Sequence, residues 1–234
     1  MMEFQGKRIV LTGVSRGIGF VCAHALLKKG ASVLGVARDA ERLKRSSREL
    51  SRLGDFAALS VDVGDRHTGA AVARRVRDRW GALDVLINNA AILASSHDFE
   101  SEAPDLLEKT LRINVIGPHR LILALFPFLR KGEDPRIVNV TSGAGMARCL
   151  RTELSDPSYR LSKYCLNGLT LQYARLMKGT VAVNSLDPGW VRTDMGGLDA
   201  PEEPERAGER VIALLRKPHT ETGKVWYGES EIPL

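Results

Sequence analysis

Cysteine is scarce in this chain: Cys22, Cys149 and Cys165 are the only three in 234 residues, and none forms a CxxC pair. An odd count without paired spacing argues against a disulfide scaffold and fits a reducing compartment, where each thiol packs as a small hydrophobe. The five histidines, His24, His67, His97, His119 and His219, are scattered without ligand spacing, so no metal site is expected. Long apolar runs are missing too. The longest, Leu121 to Leu129, falls far short of the ~20 residues that span a bilayer. The first residues place Glu3, Lys7 and Arg8 around a short apolar run without a signal-type hydrophobic region, and a cytoplasmic protein is the expectation. No low-complexity linker and no solenoid repeat interrupts the pattern, so residues 1–234 read as a single domain.

With 44% hydrophobic and 26% charged residues, the chain can fill a sizeable core and does not read as disordered. The net charge of +6 draws on Arg42, Lys44, Arg45 and Arg48. These interleave with Leu43, Leu50 and Leu53 at helical spacing and lack aromatic neighbours, which favours a solvated helix face over a nucleic-acid patch. A modest pull on anionic substrates is the most that this charge implies.

Short β-branched runs alternate with longer amphipathic stretches. Strands are expected at residues 8–12, 32–37, 57–61, 84–88, 136–141 and 181–186, with a short seventh at 225–227. Helices are expected at 17–29, 40–53, 66–80 and 104–129, and around Tyr159. The repeated βαβ order predicts an α/β doubly wound (Rossmann-type), mostly parallel sheet of about seven strands with helices on both faces. In such folds ligands bind beyond the carboxyl ends of the strands, where Thr12, Asn89, Ser142 and Pro188 fall.

Gly13, Gly17 and Gly19, with Ser15, Arg16 and Ile18 between them, form a G-x-x-x-G-x-G turn between the first strand and first helix. Such a turn lets backbone N–H groups and a helix N-terminus approach a pyrophosphate. No Lys-Ser/Thr follows the last glycine, so it is not a Walker loop. At the end of the second strand a carboxylate would bind the ribose 2′-hydroxyl of NAD. Ala37 stands there instead, followed by Arg38, and Arg16 lies in the glycine turn. Two guanidiniums can clamp a phosphate, so NADP(H) is preferred over NAD(H). Asp39 could serve as the ribose acid, but it lies two residues late, at a helix N-cap position. Asp62, after the third strand, suits either a hydrogen bond to adenine or a cap on its own turn.

Tyr159 and Lys163 are four residues apart, which on a helix stacks them on one face. An ammonium beside a phenol favours phenolate and would lower the phenol pKa, suiting it to acid–base work. Asp156-Pro157 supplies a helix start just before Tyr159. Ser142, at the tip of the fifth strand, can hydrogen-bond a carbonyl oxygen while Tyr159 gives it a proton. Pro118 lacks the N–H that would bond the Asn114 carbonyl, which leaves that oxygen to hold a relay water or marks an ordinary kink.

Over nearly its whole length the chain resembles the short-chain dehydrogenase/reductase family. The resemblance rests on Thr12 to Gly19, Asn88-Asn89-Ala90, Asn114, Ser142, the YxxxK pair Tyr159 and Lys163, and Pro188-Gly189-Trp190-Val191-Arg192-Thr193. It implies a tetrad of Asn114, Ser142, Tyr159 and Lys163, with the cofactor also bound by Asn89, Ala90, Tyr159, Lys163, Pro188 and Gly189, and its carboxamide end held by Val191 and Thr193. Pro188 to Met195 and Ala37-Arg38-Asp39 look most like the carbonyl reductase branch or its C-factor and sniffer-like relatives, implying NADPH-dependent reduction of an aldehyde or ketone. Two departures stand out: Ala91 replaces a common glycine, and the interval from Ser142 to Tyr159 is longer than in many members.

A substrate loop is expected at about 190–204, with Gly196-Gly197 as a hinge. Trp190 and Met195, with Leu93, Ala144 and Met146 opposite, are either pocket walls or ordinary core. The rival reading is an NADP-binding regulatory or signalling protein of the same fold with little turnover. Relatives pair through the helices bearing Asn114 and Tyr159, so a homodimer or homotetramer is expected, with Leu121, Leu125, Leu169 and Leu176 facing either a partner or the core. No nucleic-acid or membrane partner is expected.

Overall fold

The computed structural model describes residues 2–93 and 100–233; His97 lies outside the described residues. Seven strands run parallel in the order β3 (Phe56–Ser60), β2 (Ser32–Ala37), β1 (Arg8–Thr12), β4 (Val85–Asn88), β5 (Arg136–Val140), β6 (Ala182–Asp187) and β7 (Val225–Tyr227). The register is continuous, with Val10 opposite Leu34 and Leu86, and Val138 opposite Asn184. Strands covered on both faces carry apolar runs rather than alternation. RIVLT in β1 and VLIN in β4 are of that kind and are almost wholly buried.

Helices α1 (Gly17–Lys28), α2 (Ala40–Leu50) and α8 (Pro204–Arg216) cover one face, with Leu26, Leu43, Leu50, Val211 and Leu215 in its core. Helices α3 (Thr68–Arg79), α5 (Gly117–Leu129) and α7 (Pro157–Leu176) cover the other, around Val72, Leu121, Leu125 and Tyr173. Leu121 and Leu125 therefore serve the core and not a partner, while Leu176 is 75% exposed. Helix α2 buries Leu43, Ser46 and Leu50 and leaves its arginines exposed, the solvated face expected from its spacing. Among the described residues no helix is long and apolar enough to cross a membrane.

Two expectations are corrected, and one strand is added to the about seven expected. An eighth strand, β8 (Ser230–Ile232), pairs antiparallel with β7; its Ser-Glu-Ile sequence is too short and polar to show a period. The single helix expected over 104–129 is α4 (Leu106–Leu111), a π turn at Arg112–Ile116, and then α5, with the widened turn falling just before the N–H-less Pro118. Asp156 precedes α7 in the left-handed region at φ 55° and makes no side-chain cap bond. Helix α6 (Ala147–Thr152) occupies the long interval between Ser142 and Tyr159.

Asp84, 1% exposed, ties the bottom of the sheet together. Its carboxylate accepts from Arg8 Nε at 2.8 Å, Arg8 Nη2 at 2.8 Å and the Glu133 N–H at 2.7 Å. Burial would raise its pKa, but Arg8 and these amides outweigh that and hold it below the ordinary carboxylate range. Asp84→Ala strands Arg8 and is expected to cost about 3 kcal/mol at neutral pH, read by urea denaturation. Because the folded pKa is depressed, the contribution is complete above the unfolded carboxylate pKa and fades as pH falls through the folded value. The gap between wild type and variant should therefore close in acid.

Candidate active site

Beyond the carboxyl ends of β1 to β6 lies a groove of about 350 Å³. The glycine turn brings Gly13, Ser15, Arg16, Gly17, Ile18 and Gly19 to its wall. Gly17 has φ 53°, and a Cβ there would lie 3.2 Å from Thr193 Cγ2, so the turn and the segment after β6 face each other closely. Thr12 anchors the next wall: its hydroxyl accepts the N–H of Asn89 at 3.0 Å and of Ala90 at 2.9 Å. Asn89 Nδ2 returns a bond to the Thr12 carbonyl at 2.8 Å.

At the far end of the groove Arg38 lines the wall as β2 finishes, and Asp39 is the N-cap of α2, accepting the Arg42 N–H at 2.9 Å. Asp39 is thereby occupied as a cap. The Arg16 guanidinium pairs with Asp194, and Arg42 Nη1 reaches the same carboxylate oxygen at 3.2 Å. Hydrogen bonding to Arg16 holds the Asp194 carboxyl below its usual range. Asp62 lines the groove and also accepts the Gly64 N–H at 2.8 Å, so it braces its own turn.

The nicotinamide-proximal end expected from the sequence carries Tyr159 and Lys163, both on α7 and both in the groove wall. Lys163 is 3% exposed, donates to the Val140 carbonyl at 2.8 Å, and sits 5.6 Å from the Tyr159 ring centroid. Its position needs Gly145, where a Cβ would come within 2.6 Å of Lys163 Cβ. Ser142, at the N-terminus of a tight turn after β5, accepts the Ala144 N–H at 3.2 Å and lies beside the Tyr159 phenol, close enough to act on its proton. Asn114, 1% exposed, accepts the Ile92 N–H at 2.9 Å and donates to Ile92 O and to Ser162 Oγ, each at 3.0 Å. Ser162 in turn donates to the Tyr159 carbonyl at 2.7 Å. The Asn114 side chain is thus spent on bracing the loop at Ile92 and, through Ser162, the helix that carries Tyr159.

Electrostatics here reverse one expectation. Burial pushes the Tyr159 phenol up to about 12, against the lowering effect of the nearby Ser142 hydroxyl, and the charge of Asp187 adds to the rise. Burial also pulls Lys163 down to about 8, with Asp187 opposing. An ammonium held against a carbonyl and over the ring does not offset the desolvation of the phenol.

Of the expected pocket walls, Leu93 and Met195 line the groove. Met146 does not: it is 1% exposed and belongs to the interior. Trp190 is 57% exposed and bonds the Gly196 carbonyl through Nε1 at 2.7 Å, closing its own loop instead of walling the groove. Ala144 is partly buried in the turn after Ser142, and Val191 is buried at 3% and bridges Glu202. Pro188 and Thr193 line the groove, while Gly189, at φ 83°, packs between Arg210 and Glu202.

Four residues escape the sequence reading: Arg42, Asp194, Ser162 and Asp187. Arg42 follows the Asp39 cap by three residues, which turns it back toward the glycine turn, and Ser162 is three residues from Tyr159 on the same helix face. Asp194 lies in a loop and Asp187 at the end of β6, and their contacts are long-range.

The donor set suits a dinucleotide carrying a 2′-phosphate: glycines that leave room for a pyrophosphate, cationic Arg38 at the end of β2 with Arg16 of the glycine turn and Arg42 of α2, and a buried Tyr–Lys pair at the reactive end. This combination of fold and site defines a nucleotide-dependent oxidoreductase. The chain belongs to the short chain dehydrogenase family, whose model matches residues 7–203. It is 28% identical to (+)-neomenthol dehydrogenase of Arabidopsis thaliana, with 95% of each chain covered. Among solved structures, the NADPH-bound carbonyl reductase from chicken fatty liver superposes with TM-score 0.89 at 26% identity, covering 98% of this chain and 99% of that one. Carbonyl reductase Sniffer of D. melanogaster gives 0.86 at 25% identity, covering 96% and 98%.

Proposed function

We propose that this protein is a single-domain NADPH-dependent reductase that converts the carbonyl of an aldehyde or ketone into an alcohol, with Tyr159 as the general acid. The observation that carries this reading is the meeting, in one groove, of the glycine turn, Arg16 and Arg38, and the Tyr159–Lys163 pair, with Ser142 beside the phenol. When bound, NADPH supplies the hydride to the carbonyl carbon. Gly13, Ser15, Gly17, Ile18 and Gly19 shape the pyrophosphate site, and Arg16, Arg38 and Arg42 hold the 2′-phosphate. Asp62 faces the adenine, while Asn89, Ala90, Pro188, Gly189, Val191 and Thr193 enclose the remainder.

A buried phenol with a pKa near 12 keeps its proton throughout the neutral range, the state that a proton donor to an alkoxide must have. Ser142 positions the substrate oxygen beside that phenol. Lys163 holds the ribose and stands next in line to return a proton, and the Asn114 carbonyl, unmatched by an N–H at Pro118, holds the water that continues the path. The NADPH-bound state of the chicken carbonyl reductase and the name of a relative 28% identical over 189 residues, NADPH-dependent pterin aldehyde reductase of Arabidopsis thaliana, support the cofactor and the direction. Leu93 and Met195 at the groove wall favour apolar carbonyl compounds. The loop 190–204 is their cover, and exposed Leu123, Leu171 and Leu176 on α5 and α7 support pairing of subunits through those helices.

A panel of aldehydes, quinones and ketones, assayed with NADPH and NADH in parallel, tests the reading. Turnover of at least one apolar carbonyl compound with NADPH, and much less with NADH, is expected. Tight NADPH binding without turnover on any compound would replace the reductase by a cofactor-sensing protein.

A further inference from the structure

We propose that Arg210 of α8 is a positioning residue for the reactive half of the cofactor: its guanidinium clasps the two ends of the segment 188–202 and so fixes Pro188 to Thr193 against the groove. The proposal rests on the groove taking a dinucleotide. Arg210 does not itself line the groove, and it acts through these neighbours.

The sheet brings the partners together. β6 ends at Asp187, opposite Tyr227 of β7, and the chain then leaves the sheet at Pro188 and Gly189. Arg210 Nη1 donates to the Pro188 carbonyl at 2.7 Å, at the start of that departure. The same guanidinium meets the Glu202 carboxylate as a fork, Nη1 to one oxygen at 2.5 Å and Nη2 to the other at 2.7 Å. It also donates to the Tyr227 hydroxyl at 3.1 Å and lies over that ring, 4.4 Å from the centroid. Helix α8, strand β7 and both ends of the segment therefore meet at one planar group, a geometry that a lysine ammonium could not supply.

Gly189 shows how closely the clasp is packed. It has φ 83°, and a Cβ there would lie 2.4 Å from Arg210 Nη1 and 2.6 Å from Glu202 Oε2, so only glycine leaves room for the pair. Glu202 holds the segment a second time through its backbone: it bridges Val191, and its carbonyl accepts the Arg192 N–H at 2.8 Å. Its side chain is thus tied to α8 and its main chain to Val191 and Arg192. A shift of Glu202 moves the residues expected at the carboxamide end of the cofactor.

Within the segment the chain bonds to itself. Thr193 Oγ1 accepts the Gly196 N–H at 3.0 Å, and the Thr193 carbonyl accepts the Gly197 N–H at 2.9 Å. A Cβ on Gly196 would come within 2.1 Å of the Val191 carbonyl oxygen, so the turn is tight. Such a turn keeps its own shape, and its place over the groove depends on what ties it to the rest of the protein. Among the described residues two ion-paired attachments do so. The outer one joins Asp194 to Arg16 and Arg42 through exposed side chains, where water screens the charges. The inner one joins Arg210 to Glu202, whose side chains are only 15% and 27% exposed, and a charge-assisted fork is worth more there.

Two ligands separate positioning from simple stabilisation. NADPH needs both ends of the groove, whereas adenosine 2′,5′-bisphosphate carries the adenine and the 2′-phosphate but no nicotinamide. In Arg210→Met, NADPH must order a loosened segment as it binds and should weaken about ten-fold, while the bisphosphate stays within about two-fold by calorimetric titration. Glu202→Gln, which keeps the shape of the side chain and removes its charge, should show the same split, and it carries the test if Arg210→Met does not fold. Amide hydrogen exchange of the ligand-free proteins, read by mass spectrometry, should accelerate about ten-fold in peptides covering 188–202 and stay unchanged in β5. Unchanged NADPH affinity, an equal loss for both ligands, or unchanged exchange in 188–202 overturns the proposal. If wild type binds neither ligand, the dinucleotide reading fails by itself, and the exchange measurement alone decides whether Arg210 holds the segment.

Discussion

Tyr159→Phe is expected to lower kcat for carbonyl reduction by about 10²- to 10⁴-fold, the range that a positioned general acid contributes. The substitution removes one oxygen while keeping the ring against which Lys163 packs, 5.6 Å from the centroid. Affinity for NADPH should stay within a few-fold, because the proposed pyrophosphate and 2′-phosphate sites, at the glycine turn and Arg38, line a different part of the groove from Tyr159. A loss confined to KM would mean that the phenol only orients substrate. The wild-type pH profile carries a second check. The acid form is needed for reduction, and burial lifts its pKa to about 12, so free-enzyme kcat/KM should show no loss of the phenol proton through the neutral range. The first alkaline change should come near 8, where Lys163 titrates.

Replacing Arg16 and Arg42 together with alanine is expected to weaken NADPH binding about 100-fold and to leave NADH within a few-fold. Each charge-assisted bond to a phosphate is worth about 1.5–3 kcal/mol, discounted here because both side chains are solvent-exposed. The two guanidiniums converge on one point, as their shared contact with Asp194 demonstrates. A phosphate at that point would compete with the carboxylate for the same donors. Calorimetric titration with both cofactors decides the matter, and repetition at higher salt should shrink the wild-type preference. Equal weakening of both cofactors would mean that the pair shapes the groove generally and does not recognise the phosphate.

The sheet was legible from the sequence because buried parallel strands announce themselves as short β-branched runs between helical periods. β1, β2 and β7 fall on the expected residues, and the other parallel strands shift by a residue at one or both ends. β8 was not legible, since three residues beyond a hairpin at Gly228 carry no periodicity. The long helix before β5 read as continuous because a π turn keeps helical spacing while changing the hydrogen-bond ladder. The site divides along the same line. Groups fixed by local spacing, such as the glycine turn, Tyr159 with Lys163, and the Asp39 cap, were visible in sequence. Groups whose function depends on tertiary proximity were not: Asp194 meets Arg16 from across the groove, and Asp187 meets Gly143 from the adjacent strand. The sign of the Tyr159 pKa shift also failed to follow from spacing, because it depends on how deeply the phenol is buried. For the same reason Met146 went to the core and Trp190 to the surface, although both are apolar residues near the expected mouth.

The most direct test of the central claim is a turnover with NADPH carrying deuterium in both C4 positions of the nicotinamide, using any carbonyl compound that the panel finds, followed by mass spectrometry of the product. The account predicts an alcohol with deuterium on its carbinol carbon, formed by wild type and nearly abolished in Tyr159→Phe. An unlabelled product, or undiminished label transfer without the phenol, would contradict it.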